Sequence, residues 1–382
     1  MGNFVKEVSE RACIVASDAT WMEDAAIAQL IVTSQLEGMQ RVAGMPDLHP
    51  GRGYPVGAAF FSSTHLYPAL VGNDIGCGMA LWQTDLHASS VKLDKLEKRV
   101  GNIDGPMEDR AFVEHAMTAA GVRTCDSEVS LGTIGGGNHF AEFQQVDAVF
   151  LPEALAALGI DKQHLLLLVH SGSRGLGEHI LRTHVDAFGH HGLQTGSAEA
   201  MAYLEQHEAA LRFAQCNRHL IAHRLLTNVR ADGRCVLELH HNHVASATIH
   251  GKTGWLHRKG ATPSDLGPVL IPGSRGDHSY LVRPMHPCQD TLLSLAHGAG
   301  RKWIRSACKA RLFKLGTPTQ MSRTALGSRV ICNDRQLIYE EAPQAYKDVD
   351  SVIESLVGAG LVEVLARTKP VLTYKTQGGC CE

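Results

Sequence analysis

The chain lacks the Cys-x-x-Cys pair of a zinc ribbon, although it holds ten cysteines, at 13, 77, 125, 216, 235, 288, 308, 332, 380 and 381. A disulfide scaffold would be odd in a chain of this size. Most of these cysteines are therefore read as small buried hydrophobes, with Cys380 and Cys381 in a disordered tail. No apolar run approaches the ~18 residues of a membrane-crossing helix. The opening residues, MGNFVKEVSERACIVASD, carry acidic groups and no apolar stretch of a secretory signal. Lys6 stands where a myristoylation motif wants Ser or Thr. A cytoplasmic protein with no membrane partner is expected. Charge of one sign is also missing: 36 Lys and Arg against 39 Asp and Glu leave a net charge of −3. Any nucleic-acid contact must then use a local patch. No repeat, low-complexity tract or flexible linker interrupts the 382 residues, and 44% hydrophobic content with 20% charge predicts a packed core.

Thr20-Trp-Met-Glu23 reads as a capping box, with Ile27, Leu30 and Ile31 giving helical spacing after it. Residues 55–61 and 69–84 read as buried strands broken by glycine turns, and 164–175 as an apolar strand running into a polar loop. Residues 197–227 predict the longest helix, opened by Ser197 and Glu199. From 235 onward short strand-like runs alternate with loops. Helices follow at 301–314, with Ile304, Ala307, Cys308 and Leu312 on one side, and at 347–358, before a final strand near 370–375. There is no regular βαβ rhythm, so the prediction is α+β, a single domain over 1–382 with mixed sheets flanked by helices.

Histidine is the unusual residue, with 22 copies, many beside Gly, Asn or Ser. Five loops share one design, an apolar strand followed by small residues and a His, Cys or Asp: NDIGCGM (73–79), GGGNHFAE (135–142), HSGSRG (170–175), HHNHV (240–244) and AHGAGR (296–301). A single strand-end histidine is ordinarily structural, but folding gains nothing from repeated unsatisfied imidazoles. Asp74, Cys77, His139, His170 and His241 make a mixed O, S and N ligand set, one ligand more than a tetrahedral zinc needs. A thiolate can bridge two cations, which suggests two divalent metals ~3.5–4 Å apart. Softness alone leaves Mn²⁺, Zn²⁺ and Co²⁺ open. For Cys77 the structural alternative is a buried small residue in a tight GCG turn.

Other motifs fail. GKT at 251–253 is no phosphate loop, because Ser246 stands where its first glycine belongs. GSRGLG (172–177) is not Gly-x-Gly-x-x-Gly, and His-Glu-x-x-His is absent. His219 and His223 have i,i+4 spacing but no acidic third ligand nearby in sequence, so they read as an ordinary helix face.

DIGCGM, GGGNHF-x-E, HSGSRG, His241-Asn242, HRKGA (257–261), IPGSRG (271–276) and HGAGR, in this order, resemble the motif series of the RtcB family of RNA ligases. MPDLHPGRG (45–53) and KPVLTYK (369–375) are similar to its opening and closing motifs, so the resemblance spans nearly the whole chain. It looks like the branch whose genes accompany a release-factor-like protein. Departures are Arg52 where many members carry Lys, Leu295-Ala296 where a Ser is common before the histidine, and GGCCE after Lys375. They bear on substrate choice more than on chemistry.

The resemblance implies a GTP- and Mn²⁺-dependent ligase joining RNA 2′,3′-cyclic phosphate or 3′-phosphate ends to 5′-hydroxyl ends. Broken tRNA or rRNA would be the substrate, with a release-factor-like or archease-type protein as a possible partner. It implies His297 as the nucleophile that takes GMP, which would explain why Lys-x-Asp-Gly of ordinary nucleotidyl transferases is missing. It implies one metal on Asp74, Cys77 and His139 and a second on Cys77, His170 and His241. Guanylate contacts would come from Asn138, His139, Phe140, Ala141, Glu142, His241, Asn242, Pro272, Gly273, Ser274, Arg275, Ser279, His297, Gly298, Ala299, Gly300 and Lys375. Arg174 and Arg301 would bind RNA phosphate, and Asp47 and His49 are further catalytic candidates. The basic run 301–314 (Arg301, Lys302, Arg305, Lys309, Arg311, Lys314) is the expected RNA-facing ridge. A two-metal phosphodiesterase would need the five ligands but not His297, and an RNA-binding module with a structural metal would need neither activity.

Overall fold

Ser197 does open the longest helix. It runs Ala198–Val229, and the Ser197 hydroxyl accepts from the Ala200 N–H at 3.1 Å. The computed structural model describes residues 4–314 and 316–377, so Cys380 and Cys381 lie outside the described residues. Ile221, Ala222, Leu225, Leu226 and Val229 of this helix bury against Ala80, Trp82, Leu167 and Val169 of a large sheet. Each larger aliphatic side chain buried this way contributes roughly 1.5–3 kcal/mol.

That sheet has eight strands. Its main path runs Gly233–His240, Gly78–His87, His164–Ser171, Phe140–Val149, Val362–Thr376, Ser279–Pro284 and Val269–Pro272, all antiparallel, with Arg329–Cys332 parallel to Val362–Thr376. A second, six-stranded sheet runs Val5–Ser9, Ala12–Val15, Met39–His49, Val56–Ser62, Lys252–Lys259 and Asn242–Ile249. Residues from both sheets, among them Met45, Phe61, Leu256, Ile271 and Val282, share one core cluster. The helix Asp24–Thr33 covers the six-stranded sheet elsewhere, through Ala26 and Leu30 against Val42 and Phe60. The mixed sheets with flanking helices are the α+β class that the sequence predicts.

The chain changes sheets at His241, the one residue between the strands Gly233–His240 and Asn242–Ile249. Antiparallel neighbours start and end at the same sheet edge. The beginning of Gly78–His87, the end of His164–Ser171, the beginning of Phe140–Val149 and the end of Gly233–His240 therefore share one edge. The register pairs Met79 and Phe140 with His170, and His240 with Gly78.

Several local expectations change. Glu23, not Thr20, is the N-cap of the first helix, and it makes no side-chain cap bond. The Thr20 hydroxyl is taken by Ser17 and by Ser355, 335 residues away. Of 69–84 only Gly78–His87 is strand, and the final strand extends over Val362–Thr376. The GKT residues close a hairpin between Asn242–Ile249 and Lys252–Lys259. The helix expected at 301–314 is confined to Arg305–Leu312, with Cys308 and Leu312 buried but Ile304 69% exposed.

Candidate metal and nucleotide site

Cys77, the residue before Gly78–His87, is the middle of a row of ligand atoms. Its Sγ lies 3.3 Å from His139 Nε2 and 3.2 Å from His170 Nε2. His139 Nε2 is 2.7 Å from Asp74 Oδ2, and His170 Nε2 is 3.3 Å from His241 Nε2. The structure thus brings all five expected ligand residues together. Two of the loops precede their strands, NDIGCGM and GGGNHFAE, while HSGSRG and HHNHV follow theirs. Antiparallel order delivers both kinds to one edge.

The long helix holds these loops. Asn217 accepts from Gly132 N at 2.8 Å and donates to Ser171 Oγ and to the carbonyls of Thr133 and Gly172. Arg218 donates to Gly76 O at 2.8 Å and Ser171 O at 2.7 Å. Neither residue was singled out by sequence, since nothing local marks a buried polar pair in a helix whose partners in these loops lie more than 40 residues away.

Burial decides the protonation of the cluster. It holds His170 and His241 well below the ordinary imidazole value, with neighbouring cationic groups adding to the effect, so both are neutral and carry lone pairs. Burial, with Asp74 adding, pushes the Cys77 thiol well up. Coordination to a cation reverses that, because a coordinating thiol is deprotonated outright. Burial works against ionised Asp74 too, yet His139 beside it holds its carboxyl below the usual value. Buried lone pairs facing one another at such distances, with a sulfur shared between two imidazoles, fit two divalent cations and a bridging thiolate. Asp74 and His139 flank one side of Cys77, and His170 and His241 the other.

His297 follows the short strand Ser294–Ala296, and its ring centroid lies 4.8 Å from that of His241. Its Nδ1 is 2.6 Å from Asp47 Oδ2, and its backbone N–H donates to the same oxygen at 3.1 Å. Asp47 is fully buried. A carboxylate accepts, so Nδ1 carries a proton, and in the neutral ring Nε2 is the nitrogen with the lone pair. Lys347 braces this arrangement, donating to the carbonyls of Pro46 and Leu48 on either side of Asp47, at 2.9 and 2.7 Å. Gly300 allows it: with φ +73° and Asp47 O 2.3 Å from where a Cβ would sit, no side chain fits there. His49 bonds Asp47 O through Nδ1 at 2.8 Å, and burial pushes it down to about 4.

A cavity of about 920 Å³ opens beside this cluster, lined by His170, His297, Asn138, Phe140, Glu142, Pro272, Gly273, Ser274, Arg275, Gly298, Ala299, Gly300, Arg301 and Lys375 among others. Some expected contacts lie off it. Ala141 is buried in the core beside Val169 and Tyr374. The Ser279 hydroxyl is buried and accepts from Gln144 at 3.0 Å. Asn242 binds Asp74 O and Gly260 N, tying the metal loop to the next strand. Arg275 lines the cavity but spends its donors on the carbonyls of Met321, Ile338 and Glu341. Gly135, with φ +95°, lies under Arg174, whose Nη1 is 1.7 Å from the position of a Cβ, so the first glycine of the GGG run makes room for that arginine. Arg174 Nε reaches Thr133 Oγ1 at 3.3 Å.

The basic run divides. Lys302, Lys309, Arg311 and Lys314 are exposed. Arg301 and Arg305 instead reach Glu341, at 3.2 and 2.5 Å, and Lys375 reaches it at 3.3 Å. Glu341, unmarked in the sequence, is thus the anion that gathers three cations at the cavity wall. Burial alone would raise its carboxyl, but Lys375, Arg305 and Arg301 bring it down to about 2. A depressed carboxyl contributes stability in full above its unfolded value near 4.5 and loses it as pH falls toward about 2. Glu341→Gln is expected to cost about 3 kcal/mol at neutral pH. In urea unfolding the gap from wild type should close between about pH 4.5 and 2. A gap constant down to pH 2 would refute the assignment.

Among the described residues no helix is long and apolar enough to cross a membrane. A family model described as "tRNA-splicing ligase RtcB" matches residues 29–108 and 104–376. The chain is 56% identical over 379 residues to an RNA-splicing ligase RtcB2 of Escherichia coli, covering 99% of each. It is 30% identical to a tRNA-splicing ligase RtcB of Archaeoglobus fulgidus, over 92% of this chain and 91% of the relative. It is also 30% identical to an RNA-splicing ligase RtcB of Mycobacterium tuberculosis, over 90% of this chain and 99% of the relative. The ordered motifs, the cluster they build and matches of this extent agree, and the chain belongs to the RtcB family.

Proposed function

We propose that the protein is a GTP- and Mn²⁺-dependent RNA ligase. It joins 2′,3′-cyclic phosphate or 3′-phosphate ends to 5′-hydroxyl ends through a histidine–GMP intermediate, in RNA repair. The observation that carries this reading is the placement of His297: its Nδ1 is committed to Asp47, and its ring lies against His241 at the cavity wall. Nε2 is then the free nucleophilic atom. It attacks the α-phosphorus of GTP, a P–N bond forms, the bond to the bridging oxygen breaks, and pyrophosphate leaves. Asp47 stabilises the positive charge that the ring acquires. The backbone of Gly298–Gly300 and the side chain of Asn138 approach the phosphate, while Glu142 and Lys375 face the nucleoside. Two Mn²⁺ ions held by Asp74, Cys77, His139, His170 and His241 would neutralise phosphate charge. Water opens a cyclic end at its P–O2′ bond to leave a 3′-phosphate; an oxygen of that phosphate attacks the GMP phosphorus as the P–N bond to His297 breaks, and the 5′-hydroxyl of the second end then attacks the 3′-phosphorus and displaces GMP.

Incubation with [α-³²P]GTP and Mn²⁺ tests the reading. Acid-labile, base-stable label on the protein supports it. Metal-dependent RNA cleavage without label would favour the two-metal phosphodiesterase, and neither activity would favour a binding module. Asp47→Asn keeps the side-chain shape but removes the charge that holds Nδ1 protonated. It is expected to slow labelling on the order of 10²–10⁴-fold, with GTP affinity in equilibrium dialysis retained. An unchanged labelling rate would separate Asp47 from the chemistry.

A further inference from the structure

The helix Ala198–Val229 and the edge strand Gly233–His240 meet at a second group of ligand-type side chains, sharing no residue with the first. One ligand atom each from His219, Cys235 and Glu238 lies within 4.8 Å of the others. A register shift between Cys235 and Leu237 marks a bulge in the strand. In an unbroken strand residues three apart face opposite sides, and the extra residue returns them to one side. Cys235 pairs with Trp82 and Glu238 with Ala80, and both partners belong to the core beneath the helix. His219 comes down from the helix, its ring edge-on to Trp82 at 5.4 Å. Its i,i+4 neighbour His223 takes no part, since it stacks on Phe112 at 4.1 Å. The acidic third ligand missing from the local sequence is supplied across the turn by Glu238.

Glu238 is held for such a role. Arg218 Nε donates to its Oε1 at 2.7 Å, which fixes the carboxylate and turns Oε2 toward His219 Nε2, 3.5 Å away. Oε2 is buried, and the donor facing it is His219 Nε2, at the 3.5 Å limit of a hydrogen bond. Bonds to Cys235 and Glu238 raise the His219 imidazole to about 9, so a proton sits among the three side chains, and a cation would take the place of that proton.

We propose that His219, Cys235 and Glu238 form an accessory site for a thiophilic divalent cation of the Zn²⁺ type, tying the long helix to the sheet edge. Imidazole, thiolate and carboxylate together select Zn²⁺ over Mg²⁺ or Ca²⁺, which take oxygen ligands. Bonds of about 2.0–2.3 Å in tetrahedral geometry place ligand atoms roughly 3.3–3.8 Å apart, and the imidazole–carboxylate spacing already lies in that range. The fourth position is open to water, because the His219 side chain is 47% exposed.

Wild-type, Cys235→Ser, His219→Ala and His223→Ala chains would be dialysed against Zn²⁺ and their metal counted. Cys235→Ser and His219→Ala are expected to hold one equivalent less than wild type, and His223→Ala the wild-type number. The comparison is a difference, so it stands whatever the central cluster binds. Equal counts in wild type and Cys235→Ser, or the same loss in His223→Ala, overturn the site. A second measurement needs no variant. Zn²⁺, but not Mg²⁺, is expected to slow iodoacetamide alkylation of Cys235 in the wild-type chain by at least about tenfold, since a coordinated thiolate is withdrawn as a nucleophile. Peptide mass spectrometry reads this, and an unchanged rate overturns the proposal.

Discussion

His297→Ala is expected to abolish covalent labelling by GTP and to lower RNA joining on the order of 10⁴–10⁶-fold, the scale seen when a covalent nucleophile is removed. Two nitrogen groups near it are already engaged. His241, the nearest imidazole, is neutral and has a lone pair, but its Nε2 already faces His170 Nε2 at 3.3 Å within the ligand row. Lys375, a cation at the cavity wall, is buried and bound to Glu341 at 3.3 Å. The variant should still fold. Asp47 loses one of its two donors but keeps the backbone N–H of residue 297, so the cost is about 1–3 kcal/mol. Mn²⁺ binding should be unchanged, because the five ligand residues remain. Label retained in His297→Ala would place the nucleophile elsewhere and end the proposed mechanism, whatever the family.

Much of this site was legible because each ligand sits at a strand end or in the loop beside it, in a stretch whose composition has no folding purpose. Glycines beside Cys77 and before Asn138-His139 offer little to pack on, and histidines at strand ends recur too often for core residues. Ser197 could be read as a cap because its partner is three residues away. What stayed hidden depends on partners far apart in the chain. Thr20 had the right local pattern for a capping box, yet Ser355 competes for its hydroxyl. The basic run at 301–314 looked like one RNA-facing ridge, but Glu341 draws Arg301 and Arg305 inward and leaves Lys302, Lys309, Arg311 and Lys314 to face solvent. Lys347 and Asn217 brace the site through backbone atoms, which carry no side-chain signature at all. Sequence pattern thus located groups that touch the expected ligands better than groups that hold those groups in place.

Cys77→Ser should be the most damaging change within the ligand row, and the reason is its position rather than its affinity for any one ion. Cys77 Sγ stands between His139 and His170, at 3.3 and 3.2 Å, so it belongs to both halves of the row. Asp74→Asn or His241→Ala touches one half. The serine hydroxyl is smaller, harder and far less acidic than a thiol, so it bridges two cations poorly. Mn²⁺ affinity in Cys77→Ser is expected to fall at least ~10²-fold at both positions, with GTP labelling lost in parallel. Asp74→Asn should weaken one position and leave the other near wild type. A double-mutant cycle sharpens this: once Cys77 is serine, adding His241→Ala should cost less than it does in wild type, because the two changes act on one unit. Mn²⁺ binding followed by electron paramagnetic resonance measures each step. If Cys77→Ser weakens a single ion by the same amount as Asp74→Asn, the sulfur does not bridge and the row serves one cation rather than two.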